Sequence, residues 1–180
     1  MSKRRIILAG GSGFLGRALA EAYARDGAKV CIGDINAERC AETLAALLPR
    51  ALGQGWRVMI RGRDRAALER LDQWLWTEPA DSFLPHGIEG GSQDAAQPVL
   101  LGLGPVTNGA QGLFLIDGAE VGLAEAQALE RVWILFDGAN PDAVAGARAQ
   151  WKALTGAGLA AQYWSEDGGR WEKKADSAKA

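Results

Sequence analysis

Three short apolar runs, residues 99–103, 113–116 and 132–136, constrain the fold of this chain more than any other feature. Each is bounded by Gly or Asp, and each is shorter than an ordinary buried helix. Unbroken apolarity over so few residues marks a strand covered on both faces. Segments with helical spacing lie before and between the runs. Strands alternating with helices imply an α/β fold in which a mainly parallel sheet sits between two helical layers.

The rest of the chain fits this scheme. Residues 5–9 read as a strand, followed by a glycine turn, a helix at 14–25 and a second strand at 29–34. An alanine-rich helical pattern at 37–52 ends at Gly53 and Gly55, ahead of a strand at 56–60. Asp64 is placed to cap the next helix, whose Ala67, Leu68, Leu71, Trp74 and Leu75 form an inward stripe and which stops near Trp76, before Pro79. Residues 79–97, rich in Pro, Gly, Ser and Asp, read as a long loop of the kind that often carries binding surfaces. A short helix is expected at 123–130. Asn140 and Pro141 open a helix reaching Thr155, and a last strand at 162–164 precedes a charged tail at 170–180.

Composition narrows the function classes. At 180 residues, one domain with a true core is expected. A net charge of −2 argues against binding nucleic acid through bulk positive charge. Cys31 and Cys40 have neither metal spacing nor a disulfide framework and read as free thiols in a reducing cytoplasm. Lys3, Arg4 and Arg5 ahead of an apolar stretch, with Ala18-Leu19-Ala20 beyond it, imitate a secretion signal, but Gly10, Gly11, Gly13 and Gly16 interrupt the apolar part. No stretch approaches the roughly 20 apolar residues of a membrane span, so a cytoplasmic protein without membrane contact is expected.

Those glycines have a more specific reading. Gly10, Gly13 and Gly16 follow a strand and open a helix, and Asp34 ends the next strand. Glycine permits the tight turn and lets backbone approach a pyrophosphate at a helix N-terminus, while the acidic residue accepts from a ribose hydroxyl. Through Ala9-Gly10-Gly11-Ser12-Gly13-Phe14-Leu15-Gly16 and Gly33-Asp34-Ile35-Asn36 the opening resembles the dinucleotide-binding unit of short-chain dehydrogenase/reductase proteins. That resemblance implies weak NAD binding at Gly10, Gly13, Gly16 and Asp34, and an NAD(P)-binding protein as the alternative reading. The family's proton-transfer pair, a Tyr with a Lys four positions on, is missing: Tyr23 and Tyr163 are followed at that distance by Gly27 and Asp167.

A longer resemblance covers residues 47–174. Gly55-Trp56-Arg57-Val58, Leu71-Asp72, Leu75-Trp76, Asp81-Ser82-Phe83-Leu84-Pro85-His86-Gly87, Gln97-Pro98-Val99, Leu135-Phe136-Asp137-Gly138, Ala149-Gln150-Trp151-Lys152 and Gln162-Tyr163-Trp164 occur in the order found in the chi subunit of bacterial DNA polymerase III. The resemblance implies a non-catalytic accessory subunit in DNA replication, with no required cofactor and no direct contact with nucleic acid. Its partners would be the psi subunit of the clamp loader and the acidic C-terminal tail of single-stranded DNA-binding protein. By the same resemblance, Trp76 and Phe83 would receive psi, and Arg148, Trp151 and Lys152 the acidic tail, with Val144 standing where the family carries a further lysine. The expected organisation is one Rossmann-like domain. Residues 1–46 form a dinucleotide-binding-like opening packed into it, 47–174 the chi-like region and 175–180 a flexible tail.

The residues themselves add limits. His86, the only histidine, has no ligand-spaced companion and is expected to anchor its loop. Of seven tryptophans, Trp56, Trp133 and Trp151 lie in apolar patterns and are assigned to the core, while Trp76 and Phe83 flank a loop and are candidates for an exposed apolar patch. Arg148 and Lys152 are one turn apart and share a helix face. No Ser/His/Asp set, phosphate-binding GKS/T loop or paired-carboxylate motif is present, and no metal site is expected.

Overall fold

In a computed structural model that describes residues 30–34, 40–77, 83–165 and 172–177, the apolar runs become strands of a single sheet. The elements in chain order are β1 (Val30–Asp34), α1 (Cys40–Gly53), β2 (Val58–Arg61), α2 (Arg65–Thr77), β3 (His86–Ile88), a 3-10 turn at Asp94–Ala96, β4 (Val99–Gly102), β5 (Gly112–Leu115), α3 (Leu123–Ala128), β6 (Arg131–Phe136), α4 (Pro141–Gly156), β7 (Ala161–Ser165) and β8 (Glu172–Asp176). Across the sheet the strand order is β3-β4-β2-β5-β6-β1-β7-β8. Strands β1 to β7 run parallel, and β8 pairs antiparallel with β7.

Successive residues of each central strand point to opposite faces, and so build two cores. Val58, Ile60, Phe114, Trp133 and Leu135 meet Leu44, Leu47 and Leu48 of α1 and Leu68, Leu71 and Leu75 of α2. Met59, Leu113, Leu115, Val132, Ile134 and Phe136 face Ala126 of α3 and Ala147 and Leu154 of α4. The three-layer α/β architecture expected from the sequence is therefore the one formed. At the centre, Phe114 stacks on Trp133 with ring centroids 4.1 Å apart. Gly112 permits the approach, because a Cβ there would lie 2.9 Å from the Trp133 ring.

Two strands depart from the sequence reading. β3 lies inside the stretch taken as a loop, paired with β4 in the register His86↔Val99 to Ile88↔Leu101. β8 lies inside the stretch taken as a charged tail, and includes Ala175 and Asp176. Both are edge strands. An edge strand is held by backbone hydrogen bonds to one neighbour and carries charge as a guard against further pairing, so it need not show an apolar run. The strand expected to start at Trp56 starts at Val58, and the helix expected to reach Glu130 ends at Ala128. The strand and helix expected at 5–9 and 14–25 lie outside the described residues.

Among the tryptophans, Trp133 is fully in the core, but Trp56 and Trp151 only pack against its margin and remain partly exposed. Trp56 lies near a sheet end, with the Arg131 guanidinium 5.4 Å from its ring centre and 5.7 Å from that of Trp133. Cys40 is a free thiol. Burial, reinforced by the charge of Asp117, pushes it up to about 12, so it stays protonated and unreactive near neutral pH.

Candidate functional site

Helix α2 begins where expected: the Asp64 carboxylate accepts from the backbone N–H groups of Ala66 and Ala67, at 3.2 and 3.1 Å. Its Leu68, Leu71 and Leu75 are buried, which leaves Trp76 on the outer side at 54% exposure. The chain returns at Phe83, which is 80% exposed. The two rings meet at a centroid distance of 6.3 Å. His86 accounts for this arrangement. Its ring is buried 4.5 Å from that of Trp76, with Nδ1 2.7 Å from the Leu84 carbonyl and Nε2 3.2 Å from the Asp72 carbonyl. Together with buried Leu84, it ties the loop to α2 and keeps Phe83 pointing outward, the anchoring role expected for it.

A second feature lies on the opposite helical layer. Asn140 caps α4, its Oδ1 accepting from the backbone N–H groups of Asp142 and Ala143, with Pro141 in the first turn. Gln150 Nε2 donates to the Ala119 carbonyl at 3.2 Å and ties the helix to the loop after β5. Beside α4 is a cavity of about 230 Å³ lined by Phe136, Val144, Ala147, Arg148, Trp151, Tyr163 and Ala175. Arg148 is exposed at its margin and Trp151 forms part of its wall. Lys152 is exposed one turn beyond Arg148 but is not part of the lining. Neither cation makes a hydrogen bond or ion pair with a described residue. Sequence reasoning found Arg148 and Trp151 but not Phe136, Tyr163 or Ala175, which come from three different strands.

Two crevices open at the C-terminal end of the sheet, where ligands of α/β folds commonly bind. The first, about 470 Å³, contains Arg61, Arg63, Glu120 and Glu125. Arg61 is fully engaged there: it pairs with both Glu125 carboxylate oxygens and donates to the carbonyls of Gly104 and Glu120. Hydrogen bonding from Arg61 holds Glu125 below its ordinary value of 4.5, against an opposing effect of burial. The second crevice, about 370 Å³, is lined by Cys40, Arg63, Asp117, Asp137, Asn140 and Asp142 among others.

Gly10, Gly13 and Gly16 lie outside the described residues. The backbone of Asp34 closes β1 beside Phe136 of β6. Among the described residues no group of three or more His, Cys, Asp or Glu is placed to hold a metal ion, and no helix is long and apolar enough to cross a membrane.

Comparison with known proteins gives two kinds of likeness. The family model of the DNA polymerase III chi subunit, HolC, matches residues 19–162. A DNA polymerase III subunit chi of Escherichia coli (strain K12) is 42% identical over 45 residues, which are 25% of this chain and 31% of that protein. A sorbitol dehydrogenase of Cereibacter sphaeroides is 41% identical over 69 residues, 38% of this chain and 27% of that protein. The chain thus spans under a third of the length of each of these relatives.

Proposed function

The chain belongs to the DNA polymerase III chi subunit family, and from that premise we propose that it is a non-catalytic accessory subunit linking the clamp loader to single-stranded DNA-binding protein. The observation that carries this reading is the placement of the two candidate surfaces. The Trp76–Phe83 pair sits beside edge strand β3 on the α1/α2 layer, and the α4 cavity sits beside β7 and β8 on the α3/α4 layer. Six strand spacings separate β3 from β7, about 30 Å at the usual interstrand distance. Two partners can occupy such surfaces together, as a linking protein requires.

Each surface suits its proposed partner. Two exposed aromatic rings in contact offer the dry anchor that a protein such as psi covers. The α4 cavity combines an apolar floor with Arg148, which pairs with no described residue, at the margin and Lys152 beyond it. An acidic tail ending in an aromatic residue would place its ring against Trp151, Tyr163 and Phe136 and its carboxylates towards the two cations. Val144 adds apolar wall where the family's further lysine would add charge.

The test is fluorescence anisotropy with a labelled acidic tail peptide. Arg148→Ala and Lys152→Ala should each weaken binding by about 1 kcal/mol, roughly fivefold, and binding should fall as salt reaches several hundred millimolar, where the Debye length is about 4–5 Å. Unchanged affinity in the double variant, or indifference to salt, would remove the tail from this surface.

A further inference from the structure

We infer that the cavity beside α4 is one half of a longer groove, which β8 fits to an extended acidic peptide carrying apolar residues upstream of its acidic end. The inference rests on the acidic-tail reading of that cavity and deepens it. A second hollow, about 550 Å³, lies against the first and is lined by Trp151, Thr155, Leu159, Ala160, Ala175 and Asp176 among others. Trp151 and Ala175 line both hollows. The two also follow one another in the same order on both walls. Along α4, Val144 and Arg148 belong to the first and Thr155 to the second. Across the groove, Tyr163 of β7 belongs to the first, and Ala160, just ahead of β7, to the second. A trough with two compartments therefore runs between α4 and β8.

The trough has a structural cause. Helix α4 packs on β6 and β7, and β8 extends the sheet one strand beyond the helix. Ala175 is the cross-strand partner of Tyr163, and its methyl group leaves the passage between the compartments open. From Val144 to Thr155 the helix rises about 16 Å, the span of about five extended residues. The first compartment, about 230 Å³, suits one aromatic ring, since a cavity of about 150 Å³ already holds benzene. Arg148 and Lys152 are exposed, pair with no described residue and follow one another along the helix, so carboxylates next to that ring meet cations. In the second compartment the Asp176 carboxylate accepts from Gln162 Nε2 at 3.0 Å and from Lys173 Nζ at 3.3 Å. The walls beside it, Trp151, Leu159, Ala160 and Ala175, are apolar, and call for apolar side chains in the upstream part of the peptide.

Titration calorimetry of the full chain with two unlabelled peptides tests this. The short peptide has two aspartates and a C-terminal phenylalanine; the long one adds four upstream residues, leucine alternating with glycine, so that both leucines face the same side. The long peptide should bind about tenfold tighter, the gain from burying roughly one leucine. Thr155→Phe, which places a ring in the second compartment alone, should abolish that advantage and leave the affinity for the short peptide unchanged, which also shows the first compartment intact. Ala175→Trp, which closes the passage, should abolish the advantage as well. Equal affinities for the two peptides in the parent, or an advantage that survives in either variant, would overturn the inference while leaving the tail in the first compartment. Failure of the parent to bind either peptide would overturn both readings together.

Discussion

If Trp76 and Phe83 form the proposed clamp-loader surface, Phe83→Ala will release that partner while leaving the fold in place. The ring is 80% exposed and contributes little to the core, so the thermal transition of the variant should coincide with that of the parent. At an interface the balance reverses. An aromatic ring that leaves water on binding, backed by a second ring 6.3 Å away, is the usual form of a binding hot spot. Truncating it costs about 2 kcal/mol or more, a loss of about 30-fold in affinity. Titration calorimetry of the chain against psi reads this directly. Equal affinities for parent and variant would place the partner on another surface.

Glu125→Ala should be the more damaging change for stability. Arg61 is only 8% exposed, and Glu125 supplies the counter-charge to its guanidinium. Removing the carboxylate leaves a buried cation with two carbonyl partners, those of Gly104 and Glu120. Losing one member of a buried pair costs about 3–5 kcal/mol, and the retained carbonyls and the partial exposure of Glu125 set the expectation near the lower end, about 3 kcal/mol. For a chain of this size that is a fall of roughly 6–12 °C in Tm. The pH dependence has a definite sign. Glu125 titrates below 4.5 in the folded chain, so its contribution is complete above the ordinary glutamate range and is lost as pH falls through the lowered value. Parent and variant should therefore differ most near neutral pH and converge in acid. A variant that melts with the parent at pH 7 would show that Arg61 does not depend on this pair.

The legible part of the fold was the part governed by burial. Runs such as Val132 to Phe136 declare themselves because every residue of β6 is buried, and a strand covered on both faces can hardly be polar. His86–Ile88 and Glu172–Asp176 carry no such pattern, since a strand at a sheet edge is specified by hydrogen bonds to a neighbour that sequence spacing does not reveal. The partial exposure of Trp56 and Trp151 follows from the same limit. An apolar neighbourhood in sequence says that a ring is packed against something, not that it is enclosed.

At the candidate site, residues on one element were legible and residues assembled from several were not. Arg148, Trp151 and Lys152 share a face of α4 through helical spacing alone. Phe136, Tyr163 and Ala175 join them only when β6, β7 and β8 take their places, and although Phe136 and Tyr163 stand in blocks that carry the chi resemblance, their spacing does not show that they line one cavity. Arg61 and Glu125 are 64 residues apart, and nothing in the sequence marks them as a pair.

The central claim, that one small sheet carries two partners at opposite edges, is tested most directly by asking whether both bind at once. The chain, psi and single-stranded DNA-binding protein would be mixed and followed by size-exclusion chromatography with light scattering. The account predicts a single species containing all three, which loses psi in Phe83→Ala and loses single-stranded DNA-binding protein in the Arg148→Ala/Lys152→Ala double variant. Displacement of one partner by the other, or elution of the chain alone in the presence of both, would contradict it.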